Sequence, residues 1–184
     1  MKLKMVENLH IIVDIVNLLV NKWWLDAGSC LGVVRDKDFI KKDYDIDIGI
    51  ASEFASLKDK FITNLESFGA KLVKERYCNS RLVTLGFKRF DVKIDLFFYY
   101  QHNDVVWHAL YKHGIFHPVV FDAKFFVNLR EVKFKGKTCY LPNPPEEYLE
   151  ARYGEDWRIP KPLFRFWHPG DTKAINMEFF NDKN

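Results

Sequence analysis

The 184-residue sequence predicts an α+β fold, in which a mixed β-sheet is flanked by helices and finished by an irregular, Pro-rich C-terminal wrap. Three observations predict it. Apolar residues recur at helical spacing in some stretches and alternate with polar residues in others, so both element types are expected. All seven prolines lie at or after Pro118 and six fall between Pro142 and Pro169, which leaves the earlier chain free for regular structure and loops the end. The length suits one domain over residues 1–184, at about 150 residues per domain, and such a chain buries roughly 70% of its unfolded surface.

The elements follow in order. Leu9, Ile12, Val13, Val16, Leu19, Val20 and Trp23 carry the spacing of a helix, and residues 24–27 read as a short strand entering Gly28. Ile46, Ile48 and Ile50 then alternate with Asp45, Asp47 and Gly49, a period of two that sets isoleucines on one face and carboxylates on the other. Ser52 stands as the N-cap of a helix through Phe54, Leu57, Phe61, Leu65 and Phe68 that closes at Gly69. Residues 71–76, 82–87 and 92–99 are three further strands, antiparallel neighbours joined by short turns. Residues 104–112 fit a short helix or a meander. Residues 131–141 form a hairpin turning at Gly136, and Pro144 and Pro145 open a helix that Gly154 ends. From Asp156 onward the chain is irregular.

Composition narrows the partners. With 48% hydrophobic and 29% charged residues the chain is neither disordered nor fibrous, and its net charge of only +3 selects no partner through a global field. Lys41-Lys42 and the basic residues of 133–137 are short and separated, so no nucleic acid is expected. Lys2, Lys4, Glu7 and Asp14 interrupt the N-terminal apolar stretch, so neither a signal core nor a transmembrane segment is expected. Cys30, Cys78 and Cys139 are an odd number without a Cys-x-x-Cys pair, which fits a reducing, cytoplasmic location. His102, His108, His113 and His117 lack both a cysteine partner and a regular helical face, so zinc is not indicated.

The chemistry concentrates in three carboxylates. Asp45 and Asp47 lie two apart on one strand face, about 7 Å from each other, and Asp95 lies on the outward face of a later strand. Like charges brought together need a neutraliser, and an all-oxygen set suits Mg²⁺ or Mn²⁺. Upstream, Gly28-Ser29 sits where a strand ends and a helix begins, a place for a phosphate group to meet free N–H groups and a hydroxyl. Taken singly, Asp-x-Asp is also the solvated face of an edge strand and Gly-Ser an ordinary capping turn. The order of phosphate turn, paired aspartates and third aspartate is what phosphoryl transfer requires. Arg35, one helical turn beyond Gly32, is a further phosphate partner. The rings of Phe164, Phe166 and Trp167 are expected to line an acceptor groove.

Residues 25–35, Leu-Asp-Ala-Gly-Ser-Cys-Leu-Gly-Val-Val-Arg, and 39–49, Phe-Ile-Lys-Lys-Asp-Tyr-Asp-Ile-Asp-Ile-Gly, resemble the signature of the LicD/fukutin family. Leu141-Pro142 to Leu149, followed by Tyr153-Gly154-Glu155-Asp156-Trp157-Arg158-Ile159-Pro160, resembles its closing motif. The resemblance implies a nucleotidyltransferase-like fold and transfer of a phosphorylated alcohol, such as phosphocholine, ribitol phosphate or glycerol phosphate, from a CDP-linked donor to a glycan hydroxyl. By the same resemblance, Gly28 and Ser29 match the phosphate-binding turn, Asp45 and Asp47 the metal pair, and Asp95 the third acidic position, as ligand or general base. Tyr44, where bacterial phosphocholine members carry Pro-Trp nearby, is more like the fukutin branch and is expected at the substrate. Two other readings keep the residues but change the outcome: transfer of a nucleotide from an NTP to RNA, protein or a small molecule, and a catalytically silent binding module.

Overall fold

The computed structural model describes residues 1–160. Phe164, Phe166 and Trp167 lie outside these residues, as does the chain beyond Pro160 that was expected to be irregular. Helix α1 (Lys2–Leu19) leads into strand β1 (Trp23–Leu25), the short helix α2 (Ala27–Leu31), which continues as a wider helical turn over Gly32–Asp36, and strand β2 (Asp45–Ala51). A 3-10 turn (Ser52–Leu57) precedes α3 (Lys58–Ser67). Five strands then run consecutively: β3 (Lys71–Cys78), β4 (Arg81–Arg89), β5 (Val92–His102), β6 (Val105–Lys112) and β7 (Ile115–Asp122). A hairpin of β8 (Arg130–Phe134) and β9 (Lys137–Leu141) and helix α4 (Pro145–Tyr153) complete the described chain.

Seven strands form one sheet in the order β1-β2-β5-β4-β3, with β6 on the far end of β5 and β7 on β6. β2 and β5 run parallel, while the other neighbours are antiparallel. The alternation in β2 and β5 divides the sheet into two faces. Ile46, Ile48, Ile50, Ile94, Leu96 and Phe98 are buried on one, where Phe61 of α3 meets Phe98 edge-on at 6.2 Å. Asp45, Asp47 and Asp95 point to the other.

Several elements differ from their sequence reading. Trp23 sits in β1 rather than at the end of the first helix, because Val20 turns extended and the chain pairs with β2 in the register Trp23↔Ile50. Ser52 makes no capping hydrogen bond; it opens a 3-10 turn, and α3 starts at Lys58. Residues 104–112 resolve as a meander, paired with β7 from Val105↔Asp122 to Lys112↔Ile115. The 131–141 hairpin and the Pro145–Tyr153 helix stand as read, and Gly69, Gly136 and Gly154 all take positive φ where these elements end or turn. Trp23, Trp24, Phe97, Phe98 and Tyr99 are core residues. The three cysteines are free and buried. No helix among the described residues is long and apolar enough to cross a membrane.

Candidate functional site

The parallel pairing of β2 with β5 places Asp47 directly beside Asp95, and Asp45 beside Lys93. The 26–29 segment holds Asp47 from three sides. The Asp26 N–H donates to the Asp47 carbonyl at 2.9 Å, the Gly28 N–H donates to Asp47 Oδ2 at 3.0 Å, and the Asp47 N–H donates to Ser29 Oγ at 2.9 Å. Gly28 and Ser29 are therefore brought to the aspartates, and their polar groups are engaged with Asp47.

Glycine at position 28 lets two carboxylates approach the backbone closely. A Cβ there would stand 3.0 Å from Asp43 Oδ2 and 3.2 Å from Asp47 Oδ2, so both carboxylates converge over the glycine. Asp43 was not singled out from the sequence, although its signal is legible as the first member of the run Asp43-x-Asp45-x-Asp47. Burial, then the charges of Asp95, Asp26, Asp43 and Asp45, push the Asp47 carboxyl well above the usual carboxylate range. Burial and the Asp45 charge raise Asp43 likewise.

Asp95 is also raised by burial, against the pull of Lys74, whose Nζ donates to its two carboxylate oxygens at 2.9 and 2.8 Å. Gly86, opposite Asp95 in the sheet, leaves room for this pair: a Cβ there would lie 2.6 Å from Asp95 Oδ1 and 2.8 Å from Lys74 Cβ. Asp45 meets Lys93 Nζ at 3.3 Å. No three His, Cys, Asp or Glu side chains among the described residues converge closely enough to hold a metal ion. The donor chemistry that fits a hard divalent cation is the crowded carboxylate pair Asp43 and Asp47, with Asp45 on the same strand face. Arg35 and Tyr44 are not brought to this centre by any contact described. The Arg35 guanidinium chelates its neighbour Asp36 at 2.7 and 2.9 Å, and Tyr44 is 40% exposed.

Behind the carboxylates lies a second polar group. Asp26 caps α2 by accepting from the Ala27 N–H at 2.8 Å, and it also accepts from Tyr99 OH at 2.6 Å and from Tyr148 OH. Arg152 of α4 stands 3.8 Å from Asp26 Oδ1 and donates to Tyr148 OH at 3.3 Å. Burial acts to raise the Asp26 carboxyl, but Arg152 and the two tyrosine hydroxyls outweigh it and hold it below its ordinary range. Its sequence signal is that of an acidic N-cap; Tyr99, Tyr148 and Arg152 carry none, because the fold alone gathers them.

His108 packs on Tyr99 at 4.4 Å between ring centroids, wholly buried, with no hydrogen bond to either ring nitrogen. Burial, then Arg152, pushes its pKa down to about 3. The unfolded chain, with histidine near 6.5, thus binds the extra proton first. Stability is full above about pH 6.5 and falls as the pH drops toward 3, by about 1 kcal/mol between pH 6.5 and 5.5. His108→Phe removes that part of the slope; equal pH dependence of Tm in variant and wild type would contradict it.

Residues 21–144 match the family model "LicD/FKTN/FKRP, nucleotidyltransferase domain". The chain is 31% identical over 157 residues to the human ribitol-5-phosphate transferase FKTN, covering 84% of this chain and 33% of that protein. It is 26% identical over 154 residues to human ribitol 5-phosphate transferase FKRP, covering 80% of this chain and 30% of that protein. The chain thus spans about a third of the length of these curated relatives. The solution structure of the antibiotic-resistance factor ANT(2'')-Ia is similar in fold, with a TM-score of 0.56 and 13% identity over 90% of this chain and 80% of that one.

Proposed function

Because the chain belongs to the LicD/FKTN/FKRP nucleotidyltransferase-domain family and has the corresponding α+β fold, we propose that it is a phosphotransferase acting on glycans, moving a phosphorylated alcohol from a CDP-linked donor to a glycan hydroxyl. Ribitol phosphate is the first candidate for the alcohol, since that is the group named for FKTN and FKRP. The observation that carries the reading is the convergence of Asp43 and Asp47 over Gly28, a buried concentration of acidic groups at the glycine turn.

In the reaction, the acceptor oxygen bonds to the phosphorus that carries the alcohol, the bond from that phosphorus to CMP breaks, and the hydroxyl proton leaves. Mg²⁺ or Mn²⁺, held by the Asp43 and Asp47 pair, would supply neutralisation of the donor phosphates. Asp95, expected from the sequence as a metal ligand or a general base, is better suited to the proton. Its affinity for one is raised, and Lys74 fixes its orientation. Lys93, which pairs with Asp45 at 3.3 Å, would offer its ammonium to a phosphate oxygen. Cytoplasmic placement is part of the proposal and rests on the free cysteines.

A thermal-shift panel tests the reading: CDP-ribitol, CDP-choline, CDP-glycerol, CTP and ATP, each with and without Mg²⁺. The expected result is stabilisation that needs a CDP-alcohol and Mg²⁺ together, at 100 times Kd about 2.7 kcal/mol. With acceptor present, CMP is released. Stabilisation by NTPs with release of pyrophosphate would instead establish nucleotide transfer.

A further inference from the structure

Ala27 has a φ of +40°, a left-handed conformation unusual for a residue with a Cβ. Such strain persists only where neighbouring structure holds it. The holder is visible. The Asp26 carboxylate accepts from the Ala27 N–H, and the carboxylate is clamped by Tyr99 from β5 and by Tyr148 from α4, with Arg152 beside it. The same short segment makes all three hydrogen bonds to Asp47 described above.

Burying an aspartate, an arginine and two tyrosine hydroxyls stabilises a fold no better than well-packed apolar groups would. The cluster must therefore be read by what it orients. We propose that Asp26, Tyr148 and Arg152 are positioning residues through which α4 sets the 26–29 segment and thereby the carboxylate of Asp47. On this account the two separated motifs, residues 25–49 and 141–160, are halves of one device. The first carries the reacting carboxylates, and the second supplies the hydroxyl and guanidinium that hold their support in its strained form.

The inference rests on the proposed phosphotransferase reading for its effect on turnover, but its structural content is measured separately. Amide hydrogen exchange in Tyr148→Phe and Asp26→Asn should quicken about tenfold at Gly28 and Asp47 relative to the wild type. In turnover of CDP-ribitol with Mg²⁺, Tyr148→Phe should lower kcat about tenfold with little change in KM for the donor. Tyr100→Phe is the control. It removes a hydroxyl that donates to the Leu82 carbonyl at 2.9 Å, and should leave both readouts unchanged. Unchanged exchange at Gly28 and Asp47 in both variants, or an equal loss of kcat in Tyr100→Phe, overturns the inference. If the wild-type chain turns over no CDP-alcohol, the functional reading falls, and the exchange result still decides whether α4 sets Asp47.

Discussion

Asp47→Asn is expected to lower transfer on the order of 10³-fold while leaving Tm unchanged or slightly higher. The asparagine Oδ1 can still accept from the Gly28 N–H, so the cradle around position 47 survives. What disappears is a buried negative charge facing Asp95, Asp26, Asp43 and Asp45. That charge strains the folded state and gives the centre its affinity for a cation. A carboxylate kept for packing would behave in the opposite way, with its neutral isostere fully active and less stable. Parallel assays of CMP release and thermal unfolding separate the two outcomes, and turnover within tenfold of wild type would refute the assignment.

Gly49→Ala should destabilise the chain by about 3 kcal/mol, a drop of roughly 6 to 12 °C in Tm for a chain of this size. Gly49 lies opposite Trp24 in the β1–β2 register. An added Cβ would stand 2.2 Å from both Cε2 and Nε1 of the indole, far inside contact distance. The Trp24 ring cannot swing away, because it is 1% exposed and wedged against Tyr99 at 4.9 Å and Phe126 at 4.7 Å. The backbone at Gly49 is not left-handed, so the whole effect is steric. Thermal unfolding within 2 °C of wild type would show that β1 can shift without loss.

The helices, the alternating strand of Asp45 and Asp47, the antiparallel β3–β5 run and the β8–β9 hairpin were legible because each follows from local periodicity or turn chemistry. The limit falls where side chains from distant strands meet. Asp95 could be placed on an outward face, but its bond to Lys74 depends on a bulge between Leu72 and Lys74 in β3 that no local pattern announces. Arg35 was expected to face phosphate from its position after Gly32, and two of its guanidinium nitrogens, Nε and Nη2, are taken by Asp36 within the same turn while Nη1 has no partner. Ser29 was expected to offer its hydroxyl to a ligand, and no local pattern announces that its oxygen also accepts from the Asp47 N–H. Asp26 was read as part of a short strand, and its role stayed hidden because its partners Tyr99, Tyr148 and Arg152 are distant in sequence.

The parallel contact of β2 with β5 has a consequence for how the protein is made. Asp47 and Asp95 can become neighbours only once the chain through α3, β3, β4 and β5 has been made. Chain closure over that distance belongs among the slower steps of folding. A ribosome releasing the chain from its N-terminus therefore exposes Asp43, Asp45 and Asp47 as ordinary solvated acids well before their partner strand arrives. The pairing that sets Asp47 against Asp95 also sets Ile46 beside Ile94 and Ile48 beside Leu96, so the burial that offsets the repulsion comes with the same step.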